Sequence, residues 1–257
     1  MGTSEIGEQE TFTVGGVRID ALSLDAAVAA LLADPGPRAV HLCNAYTIAL
    51  ADRDPGLRDR LNADSLNLPD GMPLVWIGRH LGVDGLPGRV YGPDLMADAL
   101  DRGRALGARH YLYGSTPEVL ARLGAQIERR WPGAEVVGSE SPPFRTLTDD
   151  DLRAAADRMI AAGADLVWVG LGTPKQDDAV HRFARLGPAT YVAVGAAFDF
   201  LAGTKRQAPG WMQRHGLEWC FRLATEPRRL WRRYLLGNLR FARVLLRRDR
   251  RARPDRP

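Results

Sequence analysis

The sequence predicts an α/β fold: a Rossmann-like, mostly parallel sheet covered by helices on both faces. Short apolar segments alternate with helical segments along most of the chain, and several of the apolar segments lack polar alternation. Strands that are apolar throughout are buried on both faces, which is typical of parallel sheets in α/β proteins. The 257 residues suffice for one such domain and an appendage.

The alternation can be followed along the chain. Strands are predicted at 39–44, 65–68, 110–114, 134–138, 165–172 and 190–197. Helices are predicted at 45–61 with a break near Pro55, and at 73–82, 94–107, 117–130, 148–162 and 175–186. Pro93 and Pro117 are typical of a first helical turn, and Thr148 with Asp151 forms a variant capping box. Because ligands bind beyond the carboxyl ends of strands in such sheets, a site is expected at that edge.

Charge is divided unevenly along the chain. Residues 1–203 have a net charge of −8, whereas residues 204–257 have a net charge of +12. We therefore predict an α/β domain at 1–203 and a basic helical C-terminal appendage at 204–257. The basic appendage indicates a polyanionic partner, which could be a membrane surface, a nucleic acid or a phosphorylated substrate. A merely solubilising tail is the alternative.

The appendage contains a predicted amphipathic helix. At about 100° per residue, apolar side chains fall on one half and arginines on the other. The apolar half carries Trp231, Tyr234, Leu235, Leu239, Phe241, Ala242, Leu245 and Leu246, and the basic half carries Arg229, Arg232, Arg233, Arg240, Arg243 and Arg247. This pattern favours contact with an anionic lipid surface, with packing of the same apolar face on the body as the alternative. The apolar face is larger than nucleic-acid binding needs, so no nucleic acid is expected.

No membrane-spanning or exported segment is predicted. The start MGTSEIGEQE is polar and acidic, unlike a signal peptide, and no apolar run approaches the roughly 18 residues of a spanning helix. Cys43 and Cys220 have no metal-ligand spacing, which is compatible with a reducing cytoplasm. The expected location is cytoplasmic, with any membrane contact peripheral.

Two polar residues end neighbouring predicted strands. Asn44 ends the first strand and Asp70 follows the second, so pairing of these strands in parallel would bring both side chains to one edge. Asp70 lies between Pro69 and Gly71, where a carboxylate can be presented rigidly to a ligand. The alternative is an aspartate that accepts backbone N–H bonds in its own turn.

Two further motifs lie near strand or helix ends. The glycine-rich segment GLGTPKQD at 170–177 can offer N–H groups to phosphate or sugar oxygens, although a tight strand-to-helix turn is the alternative. It lacks the dinucleotide and P-loop patterns. Asp52-Arg-Asp54 matches a D-x-D metal motif, but positions i and i+2 of a helix do not share a face. A surface role is favoured for this pair, and we assign no metal and no other cofactor.

Six segments carry a family resemblance between about residues 40 and 240. They are NAYTIALADRDPGLRDRLN, LPDGMPLVW, RVYGPDL, GTPKQD, VGAAFDFLAGTKRQAP and GLEWCFRLATEPRRLWRRYL. In this order they resemble the WecG/TagA/CpsF glycosyltransferases, which transfer a sugar from a nucleotide donor to a polyprenyl-diphosphate-linked acceptor in surface polysaccharide or teichoic acid synthesis. The resemblance implies a catalytic domain at 1–203 and an appendage that completes the site at the inner face of the cell membrane.

The resemblance also implies roles for individual residues. Asp70 is expected to be the general base in an inverting, metal-independent transfer from a UDP-sugar. The expected substrate-binding residues are Asn44, Arg89, Thr173, Gln176, Arg206, Arg222, Arg229, Arg232 and Arg233. Many members have threonine where this chain has Leu42, and glutamate where it has Asp177, so the donor sugar stays open.

Two other classes of protein are considered. A nicotinamide-dependent oxidoreductase would need a dinucleotide fingerprint, which the sequence lacks. A non-enzymatic membrane or nucleic-acid adaptor would explain the appendage but would leave the strand-end motifs without a role. A homo-oligomer is compatible with the sequence in either case.

Overall fold

A computed structural model describes the backbone of residues 10–83 and 86–251, and the side chains of the same ranges up to 247. The strands in this part of the chain are β1 (Thr11–Val14), β2 (Val17–Asp20), β3 (Arg38–Cys43), β4 (Ser65–Pro69), β5 (Arg109–Gly114), β6 (Glu135–Glu140), β7 (Leu166–Gly170) and β8 (Thr190–Ala193). Strands β3 to β8 form one sheet in the order β4-β3-β8-β7-β5-β6, and all the described pairings in it are parallel. The predicted α/β class is confirmed.

Helices connect these strands. They are α1 (Leu24–Ala33), α2 (Ala45–Ala51), α3 (Pro55–Asn62), α4 (Met72–His80), α5 (Gly92–Gly103), α6 (Pro117–Arg130), α7 (Asp149–Ala161), α8 (Lys175–Phe183) and α9 (Ala197–Leu201). A 3₁₀ turn follows α5 at Arg104–Leu106. Residues of α1, α5, α6 and α9 pack on one face of the sheet, and residues of α7 and α8 pack on the other. The sheet is therefore covered on both sides, as expected.

Local capping signals operate as predicted. Thr148 and Asp151 form a capping box at the start of α7, and Thr116 caps α6 ahead of Pro117. The helix predicted at 45–61 is divided into α2 and α3, because Asp54 caps a new helix whose first turn contains Pro55. The strand predicted at 190–197 is too long, since β8 ends at Ala193 and α9 begins at Ala197.

An antiparallel hairpin of β1 and β2 was absent from the predicted elements. Its turn is Gly15-Gly16, and both glycines have positive φ, as a two-residue hairpin turn requires. The hairpin is held against β4 by Asn67, whose N–H donates to Asp20 Oδ2 (2.6 Å) and whose Nδ2 donates to the carbonyl of Arg18 (2.9 Å). Its inward side chains extend the core beyond the edge strand β4.

The C-terminal appendage is helical but is not one regular helix. It contains α10 (Gly210–Arg214), α11 (Glu218–Thr225), α12 (Pro227–Trp231), a π-helical segment (Arg232–Leu236) and α13 (Gly237–Arg251). The wider turn of a π-helix shifts the positions of all later side chains around the axis. The predicted division into one apolar and one basic half is therefore wrong in detail.

The side chains of the predicted apolar half are divided between the body and the surface. Phe241 and Val244 are buried with hairpin and α2 residues in one cluster, so part of the appendage packs on the body. Trp231, Leu235, Leu239 and Leu246 remain exposed, by 43%, 50%, 60% and 63%. Within the described residues, no helix is long and apolar enough to cross a membrane. The boundary near residue 203 stays a prediction.

Candidate active site

Asp70 and Asn44 meet at the carboxyl edge of the sheet. Strands β3 and β4 pair in parallel, and the N–H of Asp70 donates to the carbonyl of Cys43 (2.8 Å). Asn44 caps α2: its Oδ1 accepts the N–H groups of Tyr46 and Thr47, which leaves Nδ2 to donate to Asp70 Oδ2 (3.4 Å). The helix cap thus orients the amide that contacts the carboxylate.

The environment of Asp70 raises its proton affinity. Burial raises the pKa of Asp70 to about 6, opposed by the positive charge of Arg89 and by hydrogen bonds from Asn44 and the Gly92 N–H. The negative charge of Glu218 adds to the increase in the pKa. A carboxylate with a pKa near neutrality is well suited to act as a general base. The turn-capping alternative does not account for this environment.

A first cavity, of about 310 Å³, opens beside Asp70 at the ends of β3, β7 and β8. Its lining includes the predicted residues Asn44, Asp70, Thr173, Gln176, Arg222, Arg229 and Arg233. Gln176 Oε1 accepts the N–H of Gly172 (2.9 Å), so this side chain also shapes the glycine-rich loop. Leu42, in the place of the threonine common in the family it resembles, lies in the same wall.

A second cavity, of about 220 Å³, lies between the starts of α2 and α4 and the appendage. Its wall is rich in aromatic side chains, namely Tyr46, Trp219, Tyr234 and Phe241. The side chains that line both cavities are Asn44, Asp70, Glu218, Arg222 and Arg233. Asp70 therefore stands where two cavities adjoin, a position from which one carboxylate can reach a group in each.

Arg222 and Arg233 bring positive charge from the appendage to this junction. Neither forms an ion pair within the described part of the chain, and the Nε of each is buried without a hydrogen-bond partner. Burial lowers the pKa of Arg233, whose guanidinium lies 4.6 Å from the centre of the Tyr46 ring. An anion bound at these partly exposed guanidinium groups would give both of them a charge partner. The pair is suited to bind a phosphate group.

The other predicted arginines are placed differently. Arg229 lines the first cavity and donates to Glu226 (2.6 Å), and Arg89 lines the second cavity and is paired with Glu218 (2.7 Å). Arg206 and Arg232 are exposed and line neither cavity. The guanidinium of Arg232 instead lies 5.2 Å from the centre of the Trp231 ring. Binding roles for Arg206 and Arg232 stay predictions without support from the geometry.

The D-x-D motif is occupied by structural contacts. Asp54 Oδ1 accepts the N–H of Leu57 (3.0 Å) as the cap of α3, and Asp52 contacts Arg247 (3.4 Å). Both positions agree with the predicted surface role. Across the described residues, no group of three or more His, Cys, Asp or Glu side chains is arranged to hold a metal ion.

Several residues that line the cavities were not among the predicted ones. Phe144 is fully exposed and lines the first cavity, Asp199 lines the same cavity and pairs with Lys205 (3.1 Å), and Glu218 lines both cavities. Phe144 had a usable signal, since an aromatic residue after two prolines in a polar loop is not needed for a core. A single glutamate on an appendage helix has no such signal.

Comparisons with known proteins identify the family of this chain. The sequence model of the glycosyl transferase WecG/TagA/CpsF family matches residues 12–255 of this chain. The chain belongs to this family. A relative in Bacillus spizizenii, an N-acetylglucosaminyldiphosphoundecaprenol N-acetyl-beta-D-mannosaminyltransferase, is 33% identical over 186 residues, which are 72% of this chain and 70% of the relative. This WecG/TagA/CpsF protein is therefore an enzyme, a glycosyltransferase, and neither an oxidoreductase nor a non-enzymatic adaptor.

Proposed function

We propose that this enzyme transfers a sugar from a UDP-sugar to a polyprenyl-diphosphate-linked saccharide, with inversion and without a metal ion, in the synthesis of a cell-wall or surface polymer. One observation carries the proposal: Asp70 lies at the junction of two cavities, beside two arginines with unpaired buried Nε groups. A transfer between two substrates needs a base between them and positive charge on the leaving group. The acceptor class follows the name of the Bacillus spizizenii relative, and the UDP-sugar donor is the class that the family resemblance implies.

The two cavities differ in ways that suit different substrates. The first is bordered by backbone and glycines at the strand ends, including Gly170, Gly172 and Gly195, which suits a polar nucleotide sugar. The second has aromatic walls and lies against the appendage, which suits the acceptor saccharide next to its lipid. We assign the donor to the first cavity and the acceptor to the second.

The chemistry then runs in a single displacement. Asp70 accepts the proton of the acceptor hydroxyl while that oxygen bonds to the anomeric carbon of the donor. The bond from this carbon to the diphosphate oxygen breaks, and UDP leaves with the electron pair. Arg222 and Arg233 offset the charge that develops on the diphosphate, a task that a metal ion performs in other enzymes. Attack opposite to the leaving group inverts the anomeric configuration.

A screen of UDP-sugars with a short-chain polyprenyl-diphosphate N-acetylglucosamine acceptor tests this function. We expect a glycosylated lipid product from one donor, with the configuration at the anomeric carbon inverted, and an undiminished rate in EDTA. Leu42 in the donor cavity leaves the sugar to be determined by the screen. Transfer from no UDP-sugar would overturn the function, and loss of activity in EDTA would overturn metal independence.

The rate should depend on the ionisation of Asp70. Because the general base acts as the carboxylate and the pKa of Asp70 is about 6, kcat/KM should fall about tenfold per pH unit below pH 6. Rates measured from pH 4.5 to 9 with subsaturating donor would record this fall, which is the acid limb of the pH profile. A profile that stays flat down to pH 5 would contradict the assignment.

We further propose that the appendage associates with the inner face of the cell membrane. Trp231, Leu235, Leu239 and Leu246 leave apolar surface exposed. Nearby exposed arginines are Arg228, Arg229, Arg232, Arg243 and Arg247. Exposed apolar and cationic side chains together are typical of a segment bound at an anionic interface.

Replacing Trp231, Leu235 and Leu239 by serine should reduce binding to anionic vesicles about tenfold or more, since their apolar contacts with lipid are lost. Co-sedimentation with vesicles that contain phosphatidylglycerol, at low and high salt, measures the binding. Leu106→Ser is a matched control, because Leu106 is 64% exposed on the 3₁₀ turn after α5, outside the appendage. Equal binding of the triple variant and this control would exclude the proposed surface.

A further inference from the structure

Glu218, in the first turn of α11, points back towards the carboxyl edge of the sheet where Asn44 and Asp70 meet, which we call the catalytic edge. Its Oε2 accepts from Arg89 Nη1 (2.7 Å), and its Oε1 accepts from the hydroxyl of Tyr91 (3.4 Å). The side chains of Glu218 and Arg89 are each only 14% exposed. Glu218 also lines both cavities together with Asp70. A partly buried carboxylate has thus been brought from the appendage into the site.

Arg89 is held by two appendage side chains and by the Tyr91 ring of the body. Its Nη2 donates to Gln213 Oε1 on α10 (2.8 Å), and its guanidinium carbon lies 4.0 Å from the centre of the Tyr91 ring. Arg89 therefore connects the body to both α10 and α11. An ion pair removed from water contributes mainly to a defined geometry rather than to net stability. The contacts of Arg89 with Glu218 and Gln213 accordingly join the appendage to the body beside Asp70.

The same pair controls the charge next to the base. Arg89 attracts the charge of Asp70, and an arginine without another partner would form an ion pair with that carboxylate and weaken it as a base. Glu218 occupies Arg89 with a short hydrogen bond and adds a second negative charge. Asp70 thus keeps a high proton affinity although a guanidinium is nearby.

We propose that Glu218 is a positioning residue for sugar transfer: through Arg89 it holds the appendage on the site and keeps that arginine from pairing fully with Asp70. The inference rests on the proposed role of Asp70 as the base. Glu218 acts through Arg89 and needs no contact with the reacting atoms.

Glu218→Gln tests the proposal, because glutamine keeps the shape and can still accept from Arg89 but lacks the charge. We expect kcat to fall about tenfold to a hundredfold, because Asp70 becomes a weaker base and the appendage is held less firmly against the site. We also expect the fall of kcat/KM at acidic pH to begin about half a pH unit or more lower than in the wild type. The reason is that one negative charge no longer raises the pKa of Asp70, while Arg89 lowers this pKa further.

The direction of this shift follows from all groups that face Asp70. Besides Arg89 and Glu218, the charged and titratable ones are Cys43 at the end of β3, Tyr91 before α5, Arg222 in α11, and Arg233 and Tyr234 in the π-helical segment. The variant leaves these groups unchanged. The removed carboxylate and the released arginine both act to lower the pKa of Asp70.

Glu140→Gln is a matched control. Glu140 on β6 accepts two hydrogen bonds from Arg158 (2.8 and 2.9 Å) and one from the Tyr111 hydroxyl (3.4 Å), yet lines neither cavity. Like Glu218, Glu140 is a carboxylate that pairs with an arginine and contacts a tyrosine hydroxyl. Its replacement therefore removes the same kind of charge pair at a place away from the site. It should retain wild-type kcat and an unmoved acid limb.

A second measurement needs no substrate. Amide hydrogen exchange over α10 to α12 should be about tenfold faster in Glu218→Gln than in the wild type, because the tie to Arg89 is weakened. The double variant Arg89→Gln, Glu218→Gln should be no slower in turnover than Arg89→Gln alone, since Glu218 acts through Arg89.

The outcomes separate the two proposals. The positioning role would be overturned if Glu218→Gln had the kcat and the pH profile of the wild type. It would also be overturned if the variant had lower activity with an unchanged pH profile and unchanged amide hydrogen exchange, a result that would indicate direct contact of Glu218 with the substrate. If the wild type transfers no sugar, the proposed function fails, and the exchange comparison alone decides whether Glu218 holds the appendage.

Discussion

Asp70→Asn is expected to lower kcat by about two to four decades, the usual contribution of a positioned general base. Asparagine preserves the size of the side chain and can still accept from Asn44 and the Gly92 N–H, but it cannot accept the proton of the acceptor hydroxyl. Steady-state rates with saturating donor and acceptor measure the effect. Near-normal turnover would exclude Asp70 as the base.

The same substitution should make the protein more stable at pH 8. The pKa of Asp70 is about 6 in the folded state, against 3.8 ordinarily, so ionisation of this group favours the unfolded state as the pH rises from about 4 to 6. The variant lacks this cost and should have a free energy of unfolding higher by about 2 to 3 kcal/mol at pH 8. The difference should disappear below pH 4, where Asp70 is protonated in both states.

Asp52→Asn provides the matched control for Asp70→Asn. Asp52 belongs to the D-x-D motif, and it contacts Arg247 at the protein surface. Wild-type kcat is expected for this variant if the motif has a surface role. A large loss of activity in Asp52→Asn that is restored by a divalent cation would instead favour a metal-dependent enzyme.

Replacing both Arg222 and Arg233 by glutamine should lower kcat/KM by about a thousandfold or more. Loss of a single group that stabilises transition-state charge typically costs about a hundredfold to a thousandfold, and in the proposed mechanism both arginines act on the same diphosphate. Both side chains line the two cavities, and the Nε of each is buried without a hydrogen-bond partner, so a bound diphosphate would supply an anionic partner for both. Inhibition by the product UDP should weaken in the same variant, because it carries the leaving diphosphate.

Arg214→Gln is the control for the arginine pair. Arg214 lies in α10 of the same appendage, is exposed and lines neither cavity. This variant should bind UDP and transfer sugar as the wild type does. If the double variant keeps kcat/KM within tenfold of this control, the charge on the leaving diphosphate is stabilised elsewhere.

Much of the catalytic edge was predictable because its determinants are local. Apolar runs mark the buried strands, while Thr148 and Pro117 mark helix starts that the structure confirms. Asn44 and Asp70 follow successive strands, so their meeting required only that those strands pair in parallel. The β1–β2 hairpin has a local signal too, the Gly15-Gly16 turn between alternating apolar residues, although the hairpin is absent from the predicted elements.

The appendage was less predictable because its geometry depends on the body. A regular helical projection predicts Arg233 on the basic, outward half of the helix. In the structure, the π-helical turn and the packing of Phe241 on the body direct Arg233 into the cavities instead. The same projection placed Phe241 and Leu239 together, whereas one is buried and the other is 60% exposed. The phase of this helix is determined by tertiary packing.

The sequence by itself determined the alternation of strands and helices from about residue 39 to residue 186, the strand-end positions of Asn44 and Asp70, and the family. These features depend on periodicity, capping and motif order, which act over a few residues. Only the tertiary structure decided that Glu218 meets Arg89 across 129 residues of sequence, and that Arg222 and Arg233 reach the edge where Asp70 lies. Such meetings depend on how the appendage packs against the sheet, and no local pattern in the chain records that packing.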